Sequence, residues 1–277
     1  MEQLLALLPT RLLSTAMHAF MGCRWPWVKA PTIALLRRLY QIDLSEAADR
    51  DPANYASFND FFTRALKPGA RPLAPEPALL SPVDGRISQL GAIKGDTIFQ
   101  AKGRSYSTGA LLADSAAARA YTDGRFATIY LAPHNYHRIH LPCDARLIHG
   151  QFVPGRLLSV RPATVAAIDQ LFARNERLVL HFETAAGPMV LVMVGALFVG
   201  SLETVMDGKL SPPHSRRAFP IDYRERQLSF QRGDELGRFN MGSTVILLFP
   251  EGGPRFEAGL VPGQPLRLGQ AIGQLLA

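Results

Sequence analysis

The chain has 277 residues, 47% of them hydrophobic and 19% charged, with a net charge of +7. This composition excludes a disordered, collagen-like or coiled-coil chain, and the length bounds the molecule to one or two domains. The basic balance leaves nucleic acid, an anionic membrane or an acidic small molecule open as partners.

Residues 1–40 set Arg11, Arg24, Lys29, Arg37 and Arg38 against the single acid Glu2. The spacing of Leu13, Met17, Phe20 and Met21 predicts one apolar helical face. A second helix is predicted over 32–40, with Ile33, Leu36 and Tyr40 on one side and Arg37 and Arg38 beside them. Pro9, Pro26 and Pro31 punctuate the segment. An apolar face with Trp25 and Trp27 and a basic flank fits a helix lying in a membrane interface, and equally one packed on its own domain. Nucleic acid fits less well, because no binding motif accompanies the sparse cations. Glu2 stands where a secretory signal carries basic residues, so no signal peptide is expected. The longest apolar run, 189–199, is shorter than the roughly 20 residues a spanning helix needs.

Beyond residue 75 the pattern changes to short apolar runs separated by Gly, Pro and Asp. Strands are predicted at 79–88, 97–101, 126–131, 146–152, 177–184, 189–199, 200–207, 243–249 and 265–272. Helices are predicted at 58–64, 107–112 and 162–172. The expected fold is α+β: a mainly β catalytic domain over 76–277, with an N-terminal amphipathic helical extension over 1–75. Cys23 and Cys143 are too few for a disulfide framework or a four-cysteine zinc site, which points to a reducing compartment. Both read as small buried hydrophobes.

Three histidines, His134, His137 and His140, recur at intervals of three. On a helix the third has rotated off the face of the first, and on a strand neighbours in this spacing point to opposite faces. Neither HExxH nor CxxC is present, so no metal site is expected, and a catalytic or hydrogen-bonding role is preferred for at least one ring. The nucleophile elbow G-x-S-x-G is also absent. Gly242-Ser243-Thr244 directly precedes an apolar run. It reads as a turn entering a strand, or as a glycine carbonyl open to attack by the Ser243 hydroxyl once a base removes its proton.

That triplet resembles the self-processing site of the phosphatidylserine decarboxylases, of the bacterial pyruvoyl-dependent kind. The resemblance extends in family order through Phe58-Asn-Asp-Phe-Phe-Thr-Arg64, Ser81-Pro-Val-Asp-Gly-Arg86, Lys102-Gly-Arg-Ser-Tyr-Ser107 and Tyr130-Leu-Ala-Pro-His-Asn-Tyr-His-Arg-Ile-His140. It continues through Pro154-Gly-Arg-Leu-Leu-Ser-Val160, Leu171-Phe-Ala-Arg-Asn-Glu-Arg177, Val194-Gly-Ala196, Val199-Gly-Ser201 and Gly233-Asp-Glu-Leu-Gly-Arg-Phe239. It covers about residue 55 to the C-terminus; Met241 stands where leucine is common in the family, and the N-terminal segment fits only in character.

The resemblance implies a triad of Asp84, His140 and Ser243, with Asp84 orienting His140 and His140 taking the proton of Ser243. Read alone, Asp84 is a turn residue and His140 a satisfied strand histidine. It also implies cleavage between Gly242 and Ser243 into a β chain of 1–242 and an α chain of 243–277, with Ser243 becoming a covalent pyruvoyl group. That cofactor would convert phosphatidylserine to phosphatidylethanolamine and CO2 through a Schiff base, a step of phospholipid biosynthesis. His137 is implied as an assistant in decarboxylation or protonation, with His140 as the alternative proton donor; His134 is left as structural. The resemblance implies a homodimer acting on an anionic membrane, and the low cysteine count with no expected signal peptide puts it on the cytoplasmic side as a peripheral protein. The rival readings are a pyruvoyl decarboxylase of another amine-bearing substrate, an Asp-His-Ser hydrolase with an intact chain, and a non-enzymatic membrane-binding module.

Overall fold

The computed structural model describes residues 10–197, 202–211, 215–240 and 243–276. The helical extension begins with α1 (Thr10–Met21) and α2 (Pro26–Tyr40). Pro26 opens the second of these, where a missing N–H costs nothing, and Gln41 closes it in the left-handed region. A short helix, α3 (Phe58–Phe62), follows Ser57, whose hydroxyl accepts the Asp60 N–H and donates to the Asp60 carboxylate. Met21, Ile33, Ile42, Leu44, Phe58, Phe61 and Phe62 form a small core of their own. The opposite faces of α1 and α2 leave Leu12, Phe20, Trp25, Trp27, Leu35 and Leu39 exposed, with the two indoles stacked 5.2 Å apart. Arg24, Arg37 and Arg38 are exposed beside them. Lys29, grouped in the sequence with this basic flank, is instead directed inward: its ammonium donates to the carbonyls of Ala53 and Tyr55.

The remainder is mainly β, with an antiparallel ladder. In chain order come β1 (Ala78–Leu80), β2 (Gly85–Ala92), β3 (Thr97–Ala101), β4 (Arg104–Ser107), α4 (Thr108–Leu112), α5 (Ser115–Ala118), β5 (Arg125–Tyr130), β6 (Arg138–His140) and β7 (Ala145–Val153). Then follow α6 (Pro162–Ala167), α7 (Leu171–Arg174), β8 (Arg177–Thr184), β9 (Gly187–Val194), β10 (Leu202–Thr204), β11 (Gly208–Lys209), β12 (Phe219–Asp222) and β13 (Ser229–Phe230). The chain closes with β14 (Glu235–Phe239), β15 (Thr244–Phe249), β16 (Arg255–Phe256), β17 (Pro265–Leu266) and β18 (Ala271–Gln274). The principal sheet runs β12-β7-β8-β9-β15-β5-β2-β17, with β13 added on β7. A second sheet runs β11-β10-β14-β6 and carries His140 near its edge. β15 is buried along its whole length between β5 and β9, which is why 244–249 reads as an unbroken apolar run.

Three predicted elements divide. The strand predicted over 79–88 breaks between β1 and β2, because Ser81 donates to the Val83 carbonyl and turns the chain. The stretch 265–272 splits into β17 and β18. The helix predicted over 162–172 separates into α6 and α7. Gln100 is the wedge: its amide donates to the carbonyls of Val165 and Ile168 and its oxygen accepts the Leu171 N–H. The end of the run predicted over 189–199 and the start of the one over 200–207 lie outside the described residues, as does the Val199-Gly-Ser201 motif.

Candidate active site

Two loops are fastened to each other at both ends. The Leu131 N–H donates to the Ser243 carbonyl at 2.8 Å, and the Phe239 N–H donates to the His137 carbonyl at 3.1 Å. The loop after β5 is shaped by Asn135, whose side-chain oxygen accepts the Ala132 N–H at 2.8 Å. Ser243 therefore sits at the head of the central strand β15, fully buried, and its hydroxyl has no hydrogen-bond partner among the described residues. Met241 and Gly242, and so the proposed scissile bond, lie outside the described residues.

His137 is also fully buried. Its Nδ1 donates to the Asn135 carbonyl at 2.8 Å, its ring lies 4.0 Å from that of Phe62, and its Nε2 has no partner. Burial holds this imidazole neutral, pushing its pKa down to about 3. A neutral ring with Nδ1 protonated leaves Nε2 as a bare acceptor in an apolar wall. Partial desolvation also lowers the pKa of His134, an exposed residue whose backbone carbonyl meets Arg64.

His140, on β6, is held differently. Its Nδ1 lies 2.8 Å from the Gly233 carbonyl, which only accepts, so the proton is on Nδ1 and Nε2 accepts from the Tyr136 hydroxyl at 3.1 Å. Burial pushes this imidazole, too, below its ordinary value. Asp84 is near in the chain path, since the His140 N–H donates to the Pro82 carbonyl at 2.9 Å. The carboxylate is nonetheless engaged elsewhere. It takes two hydrogen bonds from Arg71, at 2.8 and 2.5 Å, and a third from the Leu268 N–H at 2.8 Å. Arg71 also pairs with Glu46 at 2.8 Å, tying this cluster to the helical extension. No hydrogen bond joins Asp84 to His140: Gly233, rather than Asp84, fixes the histidine tautomer here. Gly85 allows the close approach beside Asp84, because a Cβ there would stand 2.6 Å from the Tyr130 carbonyl oxygen.

The extension supplies a wall of the site. Arg138 donates to the Thr63 carbonyl at 2.9 Å and pairs with Glu235 at 2.8 Å. Asn59 of α3 donates to the side chain of the buried Asn240 at 2.8 Å. The structure thus brings His137 and Ser243 onto the paired loops and sets His140 and Asp84 alongside through the Pro82 contact. Sequence reasoning missed Arg71, Tyr136, Gly233 and Arg64. Arg64, Tyr136 and Gly233 lay inside quoted motifs, but nothing local marks the Gly233 backbone carbonyl as a partner. Among the described residues, no group of three or more His, Cys, Asp or Glu side chains could hold a metal ion. Both cysteines are free thiols; Cys143 is buried and its pKa pushed up to about 12.

Ser243 is thus a buried serine with no hydroxyl partner among the described residues, on loops that also carry a histidine held neutral by burial. The family model described as phosphatidylserine decarboxylase matches residues 58–274. The chain belongs to the phosphatidylserine decarboxylase family, whose members are carboxy-lyases. A further model, described only as PSD, matches residues 3–41, a pattern that motif reading did not find in the N-terminal helices. The chain is similar to proteins named phosphatidylserine decarboxylase proenzyme from Methylibium petroleiphilum, at 51% identity over 96% of this chain and 94% of the relative. The same name is carried by relatives from Acidovorax ebreus (51% identity; 98% of each chain) and Polaromonas naphthalenivorans (50% identity; 100% of this chain and 99% of the relative).

Proposed function

We propose that this chain is a proenzyme that severs its own Gly242–Ser243 bond and then decarboxylates phosphatidylserine to phosphatidylethanolamine. The observation that carries the reading is the Ser243 hydroxyl, buried without a partner at the head of β15 in a chain of this family. Leaving a buried hydroxyl unpaired costs about 1–3 kcal/mol, which is tolerated where chemistry uses the group.

In the proposed self-cleavage, His140 accepts the Ser243 hydroxyl proton through Nε2, directly or by way of Tyr136, and the Asp84 charge favours the imidazolium that forms. The serine oxygen bonds to the Gly242 carbonyl carbon as the amide C–N bond breaks, and the nitrogen takes up a proton. The new ester then loses its Cα proton and its Cβ–O bond, releasing residues 1–242 with a terminal carboxylate. Water replaces nitrogen at the resulting enamine, ammonia departs, and a pyruvoyl group heads residues 243–277.

The residues fit that group: the paired loops leave Ser243 Oγ and His137 Nε2 as buried polar atoms with nothing bound. When formed, it supplies a ketone that condenses with the substrate amine and takes the electron pair left by CO2. His137 and Phe62 give a low-polarity wall that favours a carboxylate losing its charge. Protonation of the product carbon falls to His137 or His140, whichever has taken up at Nε2 the proton that the substrate ammonium sheds on condensing.

The membrane setting is supported by the exposed Trp25, Trp27, Leu35 and Leu39 beside Arg24, Arg37 and Arg38, which suit the interface of an anionic bilayer. Among the described residues no helix is long and apolar enough to cross one. We place the proposed enzyme on the membrane surface, on the cytoplasmic side expected of a chain whose two cysteines are free thiols; its assembly as a homodimer rests on the family resemblance alone.

Intact-mass measurement tests the reading. Purified protein should give two polypeptides, 1–242 and 243–277, the smaller blocked by pyruvoyl and unreactive to N-terminal sequencing. Ser243→Ala should remain one chain and release no CO2 from phosphatidylserine vesicles. Full turnover by an unbroken chain overturns the proposal, and turnover of free serine in preference to the lipid reassigns the substrate.

A further inference from the structure

Two arginines are deeply buried, and they differ. Arg177, at 2% exposure, donates to four different backbone carbonyls, those of Ala110, Leu111, Ala173 and Asn175, all within 2.9 Å. That guanidinium is a satisfied structural element. Arg64, at 5% exposure, makes one long contact, Nη2 to the His134 carbonyl at 3.4 Å, and its Nε and Nη1 have no partner. The Phe61 ring lies 5.8 Å from the guanidinium carbon, and Asp84, Asp43 and Tyr55 act on the charge through space, with no hydrogen bond to it among the described residues. A buried, permanently charged fork with idle donors is costly unless an anion completes it.

The location says which anion. Arg64 follows α3 by one residue, and Phe62 of that helix lies on the His137 ring. The carbonyl it touches belongs to the loop bearing His137 and fastened to Ser243. The guanidinium and the site thus share one wall. We propose that Arg64 is the headgroup-binding residue of this site and takes the phosphodiester of the substrate.

This inference rests on the decarboxylase reading above. The substrate offers two anions, and the reaction separates them. The carboxylate surrenders its charge as CO2 departs, so a cation gripping it stabilises the ground state more than the transition state and slows the step. The phosphodiester keeps its charge throughout, and a planar fork matches its oxygens in bidentate fashion.

The test compares the unmutated enzyme with Arg64→Gln and Arg64→Lys, each first checked by mass for conversion to two chains. In Arg64→Gln, KM for phosphatidylserine in mixed micelles should rise on the order of 30-fold or more, as for other truncated buried charge pairs. The inhibition constant of glycerophosphoethanolamine, which keeps the phosphodiester and lacks the carboxylate, should rise by the same factor. Arg64→Lys should recover part of both. A raised KM with an unchanged inhibition constant assigns Arg64 to the carboxylate and overturns the proposal, as does no change in either.

If neither variant matures, the unmutated enzyme decides. Competitive inhibition by glycerophosphoethanolamine, with none by ethanolamine, supports the subsite, and its absence overturns it. Equal potency of inorganic phosphate overturns the headgroup assignment in favour of a free-phosphate site. An unmutated enzyme that leaves phosphatidylserine untouched defeats the decarboxylase reading itself, a result separable from all of these.

Discussion

His140 Nδ1 and the carbonyl oxygen of Gly233 lie 2.8 Å apart, and this contact alone decides which nitrogen of the ring carries the proton. Gly233 presents that carbonyl from the left-handed region, at φ +86°, where a Cβ would also stand 2.7 Å from Leu73 Cδ1. Gly233→Ala should cost about 1–2 kcal/mol of stability through strain and should slow self-cleavage by tilting the imidazole. The fraction of uncleaved chain against time, read by intact mass, checks the second effect; unaltered cleavage would remove the carbonyl from the mechanism.

Asp84 spends its charge on Arg71, and the side chains of both are about 10% exposed. Asp84→Asn leaves that guanidinium with the Glu46 carboxylate and the Ala70 carbonyl and should destabilise the fold by about 3 kcal/mol, in the manner of a broken buried pair. Asp84 favours the charged form of His140, so its loss moves the acid limb of the cleavage–pH profile to lower pH. Arg71→Met releases that charge from its clamp and should move the same limb to higher pH. Profiles shifting in one direction in both variants would sink the coupling.

The membrane face is better tested by point changes than by deletion of residues 1–40, because Met21 and Ile33 are packed with Phe58, Phe61 and Phe62. Trp25→Ala with Trp27→Ala should weaken vesicle binding by roughly 1–2 kcal/mol per indole. Arg37→Gln with Arg38→Gln should cost about 1 kcal/mol per charge on anionic vesicles and little on zwitterionic ones. Lys29→Gln should differ from both and lower stability instead, since its ammonium holds Ala53 and Tyr55. Sedimentation with vesicles of the two compositions and thermal unfolding distinguish these outcomes.

Stability should fall on mild acidification. The folded pKa of His137 is pushed down to about 3 from its ordinary 6.5, so below 6.5 the unfolded chain takes a proton that the folded chain refuses. Stability is therefore full above that value and declines as pH falls towards about 3, at roughly 1.4 kcal/mol per pH unit. His181, held at about 4 by burial and by His149, adds a similar slope over a narrower window. Urea unfolding of the uncleaved Ser243→Ala chain at about pH 7 and about pH 5 should differ by about 2 kcal/mol from His137 alone, and His137→Gln should flatten the difference.

How much of this was legible in the residues depends on range. β15, and β9 from Met189 onward, announced themselves because both faces are buried there and the runs are apolar. The helix over 162–172 misled because its breaker, Gln100, comes from β3, far off in the chain. In the candidate site the motifs pointed to Asp84, His137, His140 and Ser243 as side chains and were silent on their partners. A carbonyl such as that of Gly233 leaves no trace in composition, and Arg71 is one arginine among many until Asp84 and Glu46 are seen around it. The inward turn of Lys29 was hidden for the same reason.

The seating of β15 bears on what would become of the short piece in the proposed cleavage. Six consecutive residues of it are laddered to β5 on one side and five to β9 on the other, and Leu268, further along, donates to Asp84 across the break. A fragment so interleaved has nowhere to go: scission removes a covalent tether and no part of the architecture. The proposed maturation would in that sense be a chemical event without a mechanical one, its new end held in place from the start.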